Sequence, residues 1–264
     1  MPITRASQSR LKRVFTEGFS VKDIAEPFAS FDDTAPAPHV WAAMNERGWE
    51  VVGVRKGGFV AGYAKRHELG NGKCGDSLHA FDSAELVHDA AHLPEVAAKL
   101  VELPRLFVTS FGQPSGIVAR ADLQKPPVRM WLFGVIVLIE MGLTRLIQER
   151  FPDGGWQQYL FEGRLAKAES LKEERKRKHQ ELDLLDCLSL SDKGRVVLWN
   201  EDLQTKVGFP TRTRGEETLK ELESLRYTLA YPQDKIVCEW DVVVKLAAYL
   251  DGAFGKEVTV HTLG

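Results

Sequence analysis

Gly62 and Gly116 stand 54 residues apart, and around them the chain repeats itself. Laid over one another at that offset, VVGVRKGGFVAGYAKRHEL (51–69) and RLFVTSFGQPSGIVARADL (105–123) align without a gap. Gly58 falls on Gly112, Gly62 on Gly116, Arg66 on Arg120 and Leu69 on Leu123. Glu68 falls on Asp122, acid on acid. Upstream, HVWAAMNERG lies over LPEVAAKLVE, and both have apolar residues at a helical period. A repeat fixes architecture early, because each copy is one unit that must bury the same face.

Each copy reads as helix, strand, glycine turn, strand, then a segment opening with an acid. WEVVGV and LFVTS are the predicted first strands, GFVAGYA and SGIVA the second. The turn glycines supply the positive φ that a short hairpin requires.

The second half of the chain changes character. Pro126 and Pro127 end the repeat and suit the first turn of a helix, where a missing N–H costs nothing. Apolar residues fill most positions from Val128 to Ile147, as in a helix buried on several sides. FPDGG (151–155) stops it, and residues 156–190 read as one long helix with a charged middle and a break near Gly163. Thr213 and Glu216 form a capping-box pattern, after which Leu219, Leu222, Leu225 and Leu229 make one stripe. CEWDVVVKLAAYLDGAFG supplies a last helix, completing a bundle. The fold class is therefore α+β, with an α/β repeat over 1–127 and an all-α bundle over 128–264.

Composition narrows the classes of function. Net charge is −2, which argues against a general nucleic-acid coat protein while allowing a local basic patch. Cys74, Cys187 and Cys238 are odd in number and widely spaced, with neither a disulfide framework nor a zinc spacing, so a reducing cytoplasm is expected. The run MWLFGVIVLIEMGLTRLI is interrupted at Glu140, about half a bilayer span in, and reads as a core helix rather than a membrane segment. In KEERKRKHQE (172–181) acids interleave with bases, and pairs such as Glu174 with Lys178 describe a solvated face. His88 and His92 are four apart but lack a third ligand, so no metal is expected. No P-loop, dinucleotide fingerprint or Ser–His–Asp pattern is present.

GIVARADL, with the weaker GYAKRHEL before it, resembles the CBS motif, two copies of which form a Bateman module. The resemblance covers roughly residues 15–127. It implies clefts between facing copies that hold an adenine nucleotide: ATP, ADP or AMP. It assigns ribose hydrogen bonds to Asp122 and, less well, Glu68, since a carboxylate is an acceptor. Ile117, Val118, Tyr63 and Ala64 would line the base pocket, and Lys65, Arg66 and Arg120 would meet phosphates. The Thr or Ser of the motif is Lys65 in one copy and Ala119 in the other. CBS pairs also serve as packing modules, with Arg66 and Arg120 then on a solvated face.

LRYTLAYPQD, in a bundle of this shape, resembles the signature helix of HEPN domains, commonly metal-independent ribonucleases that work as homodimers. Arg226 matches the motif arginine, Tyr227 stands at the usually polar position after it, and Tyr231 stands where histidine belongs. RNA cleavage through the 2′-hydroxyl needs a base and an acid near neutral pH and a cation for the phosphorane charge. Arg226 supplies the cation. A tyrosine, with a pKa of about 10 against about 6.5 for histidine, is no base at neutral pH. Losing general-base help costs on the order of 10²–10⁴ in rate. Glu140, an acid in an apolar helix, needs a partner, and Arg226 is the candidate, with Arg145 or solvent as the alternative. Three readings follow: a nucleotide sensor coupled to a weakened RNase-like effector; a non-enzymatic regulator whose bundle binds protein or RNA; and a nuclease using His179 as its base.

Overall fold

The computed structural model describes residues 13–15, 17–231 and 235–236. The predicted last helix, Cys238 and the Pro232 stop lie outside the described residues. The chain divides into two units, Glu17–Val128 and a helical unit beginning at Arg129. The described residues Arg13–Phe15 group with the helical unit rather than with the repeat.

The repeated unit contains, in chain order, β1 (Glu26–Pro27), β2 (Ser30–Asp32), α1 (Ala37–Arg47), β3 (Val51–Lys56), β4 (Phe59–Lys65), β5 (Leu86–His88), α2 (Leu93–Glu102), β6 (Arg105–Ser110) and β7 (Gln113–Ala119). Both helices open with proline in the first turn, which presets φ at a position whose N–H has no acceptor. The first ends at Gly48, in the left-handed conformation that glycine adopts without strain.

The two hairpins coincide at the 54-residue offset down to an irregularity. The β3–β4 register slips between Val54 and Arg55, and the β6–β7 register slips between Val108 and Thr109. The parallel neighbours match too, Ser30 facing Gly53 and Leu86 facing Phe107. Both central residues of each hairpin turn have positive φ: Gly57 and Gly58 in the first copy, Phe111 and Gly112 in the second. Phe111, fully exposed, occupies a backbone conformation that favours glycine.

The copies also exchange strands. β1, which leads into the first copy, pairs antiparallel with β7 of the second, Glu26 opposite Ile117. His79, which leads into the second copy, bridges antiparallel to Tyr63 on β4 of the first. Tyr63 and Ile117 are themselves 54 apart. The two copies thus lock reciprocally, and an aromatic cluster fills the junction. Phe107 lies 4.8 Å from Tyr63, 5.1 Å from Phe28 and 4.7 Å from Phe81 between ring centroids.

The helical unit contains α3 (Pro126–Arg150, its first turn still in the repeated unit), α4 (Glu162–Arg177), α5 (Leu190–Leu198), α6 (Glu201–Val207) and α7 (Arg212–Ala230). α3 is long and apolar enough to cross a membrane by composition, and 56% of its most apolar window is buried inside the protein. The long helix predicted after residue 155 is interrupted close to the expected Gly163 and once more further on. A 3-10 turn at Gly155–Tyr159 precedes α4, and His179, at φ 57, ends it while Gln180 N donates back to the Arg175 carbonyl at 3.0 Å. That left-handed closure satisfies the last carbonyls of α4 and turns the chain. The start of α7 also differs from the capping box read at Thr213: Thr211 is the cap, its hydroxyl accepting from Arg214 N at 3.2 Å.

The leucine stripe of α7 buries Leu219, Leu222 and Leu225. It packs on α5 through paired glycines. A Cβ on Gly194 would lie 2.2 Å from Leu219, and one on Gly215 would lie 2.2 Å from Leu198. Each glycine makes room for the other helix's leucine.

Candidate functional site

In the repeated unit, the end of β4, the 3-10 turn Arg66–Glu68 after it and the start of β6 surround a cavity of about 250 Å³ lined by Glu50, Lys65, Arg66, His67 and Arg105. Three permanent cations and an imidazole face one carboxylate there. Two of the residues the sequence assigned to phosphate, Lys65 and Arg66, line it. His67 and Arg105 were missed. Arg105 opens the second copy's first strand, and its approach to Lys65 depends on how the copies meet, which spacing does not encode.

Glu68, beside the cavity, is already engaged. The His79 ring hydrogen-bonds to its Oε2, Lys65 Nζ lies 3.3 Å from Oε1, and Ser77 donates to its backbone carbonyl at 3.0 Å. The His79 hydrogen bond, with help from Lys65, holds this carboxyl below its usual range. Tyr63 is buried against Phe107 and stacks on His79 at 5.4 Å. Burial first and the Glu85 charge second push its phenol up. Ala64 is fully buried in the first copy's core with Val52 and Val54.

The second copy's equivalents are turned to structural work. Asp122 accepts from Ala119 N at 2.8 Å, capping the turn Arg120–Gln124, and lies 2.9 Å from Lys125 Nζ. Lys125 also reaches the Ile24 carbonyl at 2.6 Å and Glu26 at 2.5 Å. Burial alone would lower that ammonium, but the hydrogen bonds to Asp122 and Glu26 outweigh it and hold it above its ordinary value. Arg120 donates to the carbonyls of Leu100 at 2.7 Å and Val101 at 2.5 Å, capping α2. Val118 is fully buried, and Ile117 packs on the aromatic cluster.

In the helical unit, Glu140 on α3 bridges two cations. Arg226 Nη1 donates to Oε2 at 3.1 Å and Lys193 Nζ to Oε1 at 3.0 Å. Lys193, on α5, is 4% exposed, whereas the Arg226 side chain is 46% exposed. Lys193 was missed in the sequence, where a lysine between Asp192 and Gly194, with Arg195 following, carries no sign that it turns inward. Arg145 pairs with Glu149 instead of Glu140. Tyr231 ends α7 with its ring half exposed, its carbonyl accepting from Arg129 Nη1 at 3.2 Å, and Tyr227 is exposed beside Arg226. His179 is exposed at the turn that closes α4. Glu174 and Lys178 form the expected pair at 2.6 Å on the charged helix. No group of three or more His, Cys, Asp or Glu suited to a metal occurs among the described residues.

The described geometry defines a mixed α/β protein with a duplicated, strand-exchanged unit that carries a cationic cavity, and a separate helical unit. No family model matches the chain, and no curated protein matches it. Solved structures similar to it include those of CBS-domain proteins. The CBS domain of a bacterial CNNM/CorC family Mg2+ transporter in complex with ATP is 17% identical, with a TM-score of 0.36, over 46% of this chain and 94% of that one. CBSX2 in complex with AMP is 18% identical, TM-score 0.38, over 43% and 98%. A CBS-domain hemolysin-like protein from Oenococcus oeni PSU is 14% identical, TM-score 0.34, over 44% and 93%.

Proposed function

We propose that this chain is a regulatory protein in which a CBS pair senses an adenine nucleotide and biases a HEPN-like helical unit. The observation that carries the sensing half is the cavity between the copies, where Lys65, Arg66, His67 and Arg105 converge. A site of that charge suits phosphate oxygens, and guanidinium groups bind them with paired donors. Glu68, adjacent and held ionised by His79, is the carboxylate beside the cavity, and a ribose hydroxyl would share its oxygens with His79 and Lys65. The Asp122 carboxylate, which the motif favours for that role, is committed to its own turn and to Lys125.

The helical half keeps a positioned cation and lacks an imidazole at the motif position. Glu140 fixes Arg226 while leaving the guanidinium half exposed, an arrangement suited to holding an RNA phosphate. With Tyr231 at the end of α7, we favour RNA binding over RNA cleavage. The working form on this reading is a homodimer, and nucleotide occupancy acts through its different affinity for two arrangements.

Calorimetric titration of the full chain with ATP, ADP and AMP tests the sensing half. Binding that is lost in a Lys65→Ala, Arg66→Ala double variant of unchanged melting temperature supports it; no heat with any of the three sinks it. For the effector half, Tyr231→His should confer RNA cleavage that disappears again in Arg226→Ala. Failure of Tyr231→His to cleave, combined with Arg226-dependent RNA binding, favours the second reading, a non-enzymatic binding protein, which the tyrosine at 231 itself favours.

A further inference from the structure

The two copies are charged differently around their junction. At the 54-residue offset Lys65 is matched by Ala119, His67 by Ala121 and Arg105 by Val51. Arg66 is matched by Arg120, whose guanidinium is bound to the last carbonyls of α2. At the aligned positions the second copy therefore has no lysine and no histidine, its arginine is already satisfied, and Lys125, which reaches Asp122 as Lys65 reaches Glu68, is also bound to the Ile24 carbonyl and Glu26. Glu50, the one acid lining the cavity among the described residues, lies 3.8 Å from Arg105 and is largely exposed, so it can swing away when an anion enters.

Size adds to charge. The cavity, about 250 Å³, falls below the roughly 300–1,000 Å³ that encloses a whole drug-sized ligand. Lys65, Arg66 and Arg105 come from three different places, the end of β4, the turn after it and the start of β6. Their three positive charges match the roughly −3 to −4 of a linked pair or triple of phosphates more nearly than the roughly −2 of a single one. Resting on the reading that this unit binds an anionic nucleotide, we infer that it has one such site per pair of copies. We infer also that the site selects a polyphosphate, a nucleoside di- or triphosphate over a monophosphate.

The experiment is calorimetric titration of the full chain with ATP, ADP, AMP and inorganic tripolyphosphate. One equivalent of ATP binds per chain, AMP binds at least roughly tenfold more weakly, and tripolyphosphate competes with ATP. Removing one charged hydrogen-bond partner, in Arg105→Gln or in Lys65→Ala, weakens ATP by roughly 10- to 100-fold. Arg105→Lys, which keeps the charge and the fold, recovers part of that loss. Two equivalents of nucleotide, or AMP binding as tightly as ATP, overturn the inference while leaving nucleotide sensing intact. Tripolyphosphate binding that no adenine nucleotide displaces removes the nucleotide reading and keeps a single polyanion site. Silence from all four ligands overturns both.

Discussion

Glu140 divides its two carboxylate oxygens between cations in unlike surroundings. Lys193 is almost wholly buried and Arg226 is half exposed. Removing the shared acid strands a buried ammonium, whereas removing Arg226 frees a carboxylate that Lys193 still neutralises. Glu140→Gln should therefore cost about 3 kcal/mol of unfolding free energy. Arg226→Ala should cost less than about 1 kcal/mol. Equal costs in urea denaturation would show that Lys193 is not held by this acid. Glu68 gives a second prediction at this scale. Its carboxyl is depressed in the folded state, first by the His79 hydrogen bond, from an ordinary value of 4.5. A depressed carboxyl contributes stability above its unfolded pKa, and that contribution is lost as pH falls through the lower folded value. Stability should then decline from about pH 4.5 downward, and Glu68→Gln should flatten that decline in a pH series of denaturation curves.

At the scale of elements, the repeat glycines are matched in sequence and unequal in constraint. A Cβ at Gly62 would lie 2.1 Å from the His79 carbonyl oxygen, which belongs to the exchanged segment on β4. At Gly116 the nearest atom would be Val108 Cβ at 3.2 Å. Gly62→Ala should destabilise by roughly 1–3 kcal/mol, the usual range for overpacking, because a paired backbone cannot move aside. Gly116→Ala should cost less than about 1 kcal/mol, since its closest contact is relieved by a shift of a few tenths of an ångström. Thermal melts of the two variants check the ranking. The elements themselves were largely legible: four hairpin strands, two amphipathic helices and a proline-started apolar helix follow from period and turn chemistry. The start of α7 was misplaced by two residues because Thr211 and Thr213 are both good caps, and the choice depends on how α7 docks its leucines on α5. The break after α4 was missed because His179 is not a residue that announces a left-handed turn.

At the scale of the whole molecule, strand exchange ties the two copies of the repeated unit to each other, since each copy's sheet is extended by the other's leading segment. Residues 17–128 expressed alone should fold cooperatively and, on the proposed sensing function, bind nucleotide as the full chain does. Saturation at 100 times the dissociation constant should raise the stability of that unit by about 2.7 kcal/mol. Differential scanning calorimetry of fragment and full chain makes the comparison. An unfolded fragment, or one that folds without responding, would place part of the site elsewhere in the chain.

The amino-acid sequence by itself determined the duplication, its hairpins and the change to helices at the double proline, because these depend on neighbours within a few turns of chain. It also named Lys65 and Arg66 and paired Glu140 with Arg226. Only the tertiary structure decided that Arg105 and His67 join the first pair and that Lys193 joins the second. It alone assigned Asp122 and Arg120 to capping. A side chain's partners are set by which distant surfaces close over it, and residues that align between two copies of a repeat need not share them.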